Sequence, residues 1–386
     1  MKKDHILTHH AENRKEYFNA VAPPIIQSSN FAFDSIKDFQ EKISDELNNY
    51  IYTRGNNPTV NILRKKIAEL EHAEDALITS SGSAAIAMAL TSQVKSGDHV
   101  VCVEKPYAWT KKLLLQILER FGVSATFVDG REISNIQNAI LPETKVLFLE
   151  SPNSITFELQ DLEECVALAK KHNLITIIDN SHCSPIFQNP IDYGIDIVVH
   201  SGTKYLNGHS DVLIGAICSS KEVIKQIYEV EYMTFGVNIS PHDAALVIRG
   251  LRTLDLRLKK SDENVKAIVA ALKDHPRVAK IVHTLSPDFP QYDLAKKQMR
   301  GNGGLFGLEL NVETKEDVQK FVEHLNNFII AVSWGGYESL MLPTLCFHDL
   351  PHMPDSPITW KYIRFYAGIE DADFLIEDLK SALDAI

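Results

Sequence analysis

From about residue 75 to about residue 220 the chain alternates short β-branched apolar runs with helical patterns, and few architectures satisfy that alternation. The runs lie at 76–79, 99–103, 125–128, 146–149, 175–178, 195–199 and 212–218, which predicts seven strands. Amphipathic stretches at 110–121 and 161–172 stand between them, and Asp161-Leu162-Glu163-Glu164 opens the second with the signature of a capping box. Strands this uniformly apolar are buried on both faces. The pattern therefore predicts an α/β domain, a mostly parallel sheet with helices above and below.

The flanks read differently. Residues 1–52 are more polar and hold no βα unit, although 21–33 is apolar enough to rest on a neighbouring surface, as an arm or lid does. Ser240-Pro241-His242-Asp243 combines an N-cap, a proline at the first helical position and an acid in the first turn, so a long helix is expected to about residue 273, linking two domains. Beyond it, 303–310 and 329–333 read as strands, and Leu375, Ile376, Leu379, Leu383 and Ile386 line one face of a closing helix. The expected organisation is an arm at 1–55, a large domain at 56–240 and a smaller α+β domain at 241–386.

Composition narrows the function classes. A net charge of −12 with scattered basic residues lacks the electrostatic footprint for nucleic acid or an anionic membrane. The five cysteines are odd in number, far apart and without a Cys-x-x-Cys pair, which argues against a disulfide framework or zinc site and for reduced thiols. Residues 1–14 lack the apolar core of a secretory signal and no run is long enough to span a membrane, so a cytoplasmic location is expected.

Chemistry concentrates at strand ends. The segment 196–210 closes an apolar strand with Ser201-Gly202-Thr203-Lys204, and two hydroxyls beside a lysine suit a phosphate-bearing aldehyde whose carbonyl carbon the amine attacks. Taken alone, Lys204 also fits a solvated surface lysine. Asp179 ends the strand at 174–178, where its carboxylate either meets a ligand cation such as a pyridinium nitrogen or caps a helix. Ser80-Ser81-Gly82-Ser83 follows a strand and opens a helix, leaving backbone N–H groups for an anion, although small residues also start helices for packing reasons. His182, His200 and His209 gather nearby without the carboxylates or helical spacing of a metal centre, and no metal is expected. Cys102 reads as core, and no catalytic thiol is assigned.

Together these segments resemble the cysteine/methionine-metabolism family of pyridoxal-phosphate enzymes, whose lysine signature is met at every position of 196–210. The resemblance runs from about Tyr52 to the C-terminus and implies the aspartate-aminotransferase-like fold, fold type I. It further implies that Lys204 carries pyridoxal 5′-phosphate covalently, that Asp179 meets the ring nitrogen, and that Gly82, Ser83, Ser201 and Thr203 bind the phosphate. Tyr52 and Arg54, in Tyr52-Thr53-Arg54-Gly55-Asn56-Asn57-Pro58-Thr59, would complete the phosphate site of a neighbouring subunit, which implies a homo-oligomer, a dimer at least and by analogy a tetramer. Tyr107 would stack on the ring and assist proton transfer. In the C-terminal part, Arg364 would grip the substrate α-carboxylate with help from Ser333 and Trp334.

The family runs β-elimination, γ-elimination and γ-replacement on one fold. Ser333-Trp334-Gly335-Gly336-Tyr337-Glu338-Ser339 and Glu150-Ser151-Pro152-Asn153-Ser154-Ile155-Thr156 resemble the bacterial cystathionine β-lyase branch, and Trp109 stands where the methionine γ-lyase branch has a cysteine. The expectation is thus β-elimination from L-cystathionine to homocysteine, pyruvate and ammonia, on the route to methionine. The alternatives are γ-replacement on an activated homoserine, γ-elimination, or a non-catalytic cofactor-binding protein.

Overall fold

The computed structural model describes residues 1–351 and 356–386. These form two compact units. The first comprises 1–154, 158–207 and 211–253, and the second 155–157, 208–210 and 254–386.

The first unit is built on seven strands: β1 Asp75–Thr79, β2 His99–Val103, β3 Ser124–Val128, β4 Thr144–Glu150, β5 Ile175–Asp179, β6 Ile197–His200 and β7 Gly215–Ser219. Their order is β1-β7-β6-β5-β4-β2-β3, and every pairing is parallel except those of β7, which runs antiparallel to both neighbours. All seven predicted strands are present, within a few residues of the expected bounds. Their interiors supply the core, where Val100, Phe148, Ile177 and Ile217 are fully buried with Met88 and Ala89 of the helix Gly82–Thr91. The helix Leu162–His172 starts as expected, Asp161 accepting the backbone N–H groups of Glu163 and Glu164.

Two helices expected from the sequence depart from that reading. The stretch 110–121 is no single α-helix: the α-helical Ala108–Lys112 widens into a π-type segment, Leu113–Ile117, and tightens to a 3₁₀ turn, Leu118–Phe121. Thr110, Leu114 and Leu118 are all buried, a four-residue spacing that an α-helix also keeps on one face, so burial alone does not distinguish the wider turn. The long linking helix is two helices, Pro241–Leu251 and Leu254–Leu272, and the units divide between them, after Thr253 rather than at 240. At the break Arg252 and Thr253 donate to carbonyls three residues back, and Gly250 lies so close to the Asn207 carbonyl that a Cβ would collide with it. The helix Pro241–Leu251 packs on the helix Pro58–Glu71 and so belongs to the first unit.

The N-terminal segment also lies in the first unit. Its short helix Lys3–Thr8 is tied down by buried Lys66, whose Nζ donates to the Ile6 carbonyl at 2.9 Å and pairs with buried Glu12 at 3.2 Å.

The second unit carries β8 Val278–Val282, β9 Leu305–Leu310, β10 Ile329–Ile330, β11 Leu340–Pro343 and β12 Tyr362–Tyr366, ordered β10-β11-β12-β9-β8. The strand expected at 329–333 stops at Ile330, and Ser333 then adopts a left-handed φ of +80°. Leu375, Leu379 and Leu383 of the closing helix Ala372–Asp384 are fully buried in a core with Phe306, Phe321 and Phe365.

Candidate active site

In the first unit the site is assembled from the carboxyl ends of β4, β5 and β6 and the start of the helix Gly82–Thr91. Ser81 caps that helix, its Oγ accepting the N–H of Ala84 at 3.1 Å. The N–H groups of Gly82 and Ser83, at the first two helical positions, have no intrahelical acceptor and lie at the positive end of the helix, which suits them to an anion. A Cβ on Gly82 would lie 2.7 Å from the Ser201 Cβ, so only glycine lets this helix start touch the turn after β6.

The turn is anchored from β5. Asp179 Oδ1 accepts the Ser181 N–H at 2.9 Å and the Ser181 hydroxyl at 2.5 Å, and Ser181 Oγ accepts the N–H of Ser201 at 2.6 Å. Burial raises the Asp179 carboxyl above its ordinary value, and the Ser181 hydrogen bonds, with the charges of His200 and Lys204, offset only part of that. A cationic ring nitrogen beside this buried carboxylate would favour its charged form. Together with the glycine-lined helix start and the Lys204 amine, this donor set fits pyridoxal phosphate.

Thr203 behaves differently from Ser201. Its hydroxyl donates to the Ile214 carbonyl at 3.2 Å and accepts the Ile214 N–H at 2.9 Å, which fixes the Lys204 turn against the chain entering β7. Behind the sheet end, buried His200 Nε2 stands 2.6 Å from Glu71 Oε2, so this histidine is held in the core. Tyr107 is 40% exposed at the head of Ala108–Lys112, its backbone N–H donating to Glu150 Oε2 at 2.6 Å. Tyr52 and Arg54 share an exposed turn, the guanidinium carbon 5.6 Å from the tyrosine ring centroid.

In the second unit Arg364 projects from β12, only 4% exposed. Its Nη2 donates to the Ser333 carbonyl at 2.9 Å, and its guanidinium carbon lies 4.9 Å from the Trp334 ring centroid. The left-handed Ser333 is what turns that carbonyl and Trp334 toward the guanidinium. The segment that follows is pinned: Tyr366 Oη donates to the Gly336 carbonyl at 2.8 Å, and the Ser339 N–H and hydroxyl donate to Glu370 at 2.7 and 3.0 Å.

Asp179, Ser201, Gly82 and the Lys204 turn are therefore gathered within the first unit, and Arg364, Ser333 and Trp334 within the second. Sequence reasoning passed over Ser181, which ties Asp179 to Ser201, and Glu150, which holds Tyr107. The signal was strand register: Glu150 and Asp179 end adjacent strands as direct partners.

The chain is similar to known proteins along nearly its whole length. The family described as "Cys/Met metabolism PLP-dependent enzyme" matches residues 5–384. L-methionine gamma-lyase of Treponema denticola is 38% identical over 98% of this chain and 96% of the relative. Cystathionine gamma-lyase of Bacillus subtilis is 36% identical over the full length of both. A solved structure of cystathionine gamma synthase from Xanthomonas oryzae pv. oryzae, in complex with aminoacrylate and cysteine, superposes with a TM-score of 0.92 at 32% identity, covering 100% of this chain and 98% of that one.

Proposed function

The chain belongs to the Cys/Met metabolism PLP-dependent enzyme family, and from that premise we propose a carbon–sulfur lyase that cleaves the Cγ–S bond of a sulfur amino acid. One water is consumed, and a thiol, 2-oxobutyrate and ammonia are released. The observation that carries the reading is buried Asp179 linked through Ser181 to the Ser201 turn that leads into Lys204. Support for elimination at Cγ comes from the relatives, two named gamma-lyases and one gamma synthase.

Pyridoxal phosphate, when bound, supplies a ring that takes up the electrons left at Cα. Lys204 holds the cofactor, removes the proton from Cα and then one from Cβ. Asp179 keeps the ring nitrogen protonated, and the N–H groups of Gly82 and Ser83 with the Ser201 hydroxyl hold the phosphate. Tyr107 stacks on the ring and delivers a proton to the departing sulfur. Arg364 takes the α-carboxylate in a bidentate grip, its plane set by Trp334 and its position by Ser333. Tyr52 and Arg54, exposed on their turn, reach the phosphate of a neighbouring copy, so the active form is a homo-oligomer. The cysteines are free thiols, which suits a reducing, cytoplasmic compartment.

A second reading is β-elimination from L-cystathionine to homocysteine, pyruvate and ammonia, on the route to methionine. The loop Ser333-Trp334-Gly335-Gly336-Tyr337 favours it, while the relatives support it less than γ-elimination. The holoenzyme is incubated with L-cystathionine and with L-methionine, and the 2-oxo acids are separated. The proposal expects 2-oxobutyrate from both. Pyruvate with homocysteine replaces it by β-elimination, and turnover only when an activated homoserine and a thiol are supplied replaces it by γ-replacement.

A further inference from the structure

Glu150 ends β4 in direct register with Asp179 on β5 and is only 3% exposed. Its carboxylate accepts the Tyr107 N–H at 2.6 Å through Oε2 and the Ser154 N–H at 2.9 Å through Oε1. Asn153 Nδ2 lies 3.5 Å from Oε1 and also donates to the carbonyl of Lys105, at the start of the loop that carries Tyr107. Asp179 turns its own oxygen to Ser181 and, through it, to Ser201. Two neighbouring strand ends thus present a carboxylate each, one aimed at the tyrosine loop and one at the phosphate turn. Placing two buried carboxylates side by side is unfavourable, and burial with the Asp179 charge pushes the Glu150 carboxyl up to about 7. A fold that carried no function at this point would be served better by an uncharged side chain.

We propose that Glu150 is a positioning residue that acts through Tyr107, fixing the backbone of that loop beside Asp179 and so setting where the phenol ring lies over the cofactor. This rests on the reading of Tyr107 and Asp179 as cofactor contacts. The titratable groups facing Glu150 are Asp179 on β5 and Cys102 on β2, with His200 and Lys204 acting on Asp179 in turn.

The test uses the full-length apoprotein and measures pyridoxal phosphate affinity by absorbance titration on both sides of neutral pH. Glu150→Gln is expected to weaken binding about ten-fold, the scale of one charge-assisted hydrogen bond, and to flatten the neutral-pH inflection of the wild type. In a Tyr107→Ala background, which keeps the backbone N–H but removes the ring it positions, the same change is expected to cost less than about two-fold. Glu150→Asp, which keeps the charge, recovers part of the loss and carries the same cycle if the glutamine variant does not fold. An equal cost in both backgrounds, or none in either, overturns the positioning role. If Tyr107→Ala and Asp179→Asn themselves leave affinity and spectrum unchanged, the cofactor contacts beneath the proposal fail instead.

Discussion

A methyl group at position 82 has no room, since its carbon would sit 2.7 Å from the Ser201 Cβ at the point where the helix start meets the turn after β6. Gly82→Ala is therefore expected to push the two apart and raise the dissociation constant of pyridoxal phosphate about ten-fold, the scale of a modest overpacking strain, in a direct titration. The Glu150–Asp179 pair makes a prediction about stability. Burial beside Asp179 holds the folded Glu150 carboxyl up to about 7, whereas in the unfolded chain it ionises near its ordinary value of 4.5. Between those values the unfolded state binds fewer protons, so this group's contribution to stability falls as pH rises, and the raised Asp179 acts in the same direction. The thermal midpoint of the wild-type apoprotein should accordingly drop relative to Glu150→Gln as pH rises across that interval. A constant difference across it would mean that Glu150 ionises normally. Motif reading singled out Lys204 and Asp179 because strand ends are where such sheets present side chains. It passed over Glu150 and Ser181, whose contacts come from which strands lie side by side.

At the scale of elements, the segment from Ser333 to Leu340 is held by contacts outside it. Ser339 donates twice to Glu370, and the Ser339 hydroxyl accepts the Gly368 N–H at 2.9 Å. Glu370→Ala is expected to loosen the segment that seats Arg364, raising KM for the amino acid about ten-fold while cofactor affinity in the first unit stays unchanged. A matching loss of cofactor affinity would show a wider structural effect. Most strands of the large sheet were legible because their interiors are buried on both faces and read as near-continuous apolar runs, and the partly buried edge strand β3 was read from its stretch 125–128. β8, which is partly exposed, was not legible, and β10 was expected over 329–333 but is only two exposed residues. β11 is a four-residue strand ending in proline. The π-type segment at Leu113–Ile117 was hidden because a four-residue spacing of buried side chains is also that of an α-helix. The break after Leu251 had only Gly250 to announce it, and the carbonyl that excludes a side chain there belongs to distant Asn207.

For the whole molecule, the family match at residues 5–384 takes in both compact units. If Tyr52 and Arg54 serve a neighbouring copy, two inactive variants should complement each other. Co-expressed Arg54→Ala and Lys204→Ala chains are expected to regain part of the wild-type turnover, because mixed oligomers contain sites built from the intact half of each. No recovery in demonstrably mixed oligomers would place both groups in one chain's site. The claim on which the rest depends is that the amine at position 204 carries the cofactor. Borohydride reduction of the holoenzyme, followed by peptide mass spectrometry, should find the pyridoxyl adduct on the peptide containing Lys204. An adduct on another lysine, or none on a protein saturated with pyridoxal phosphate, would contradict the account.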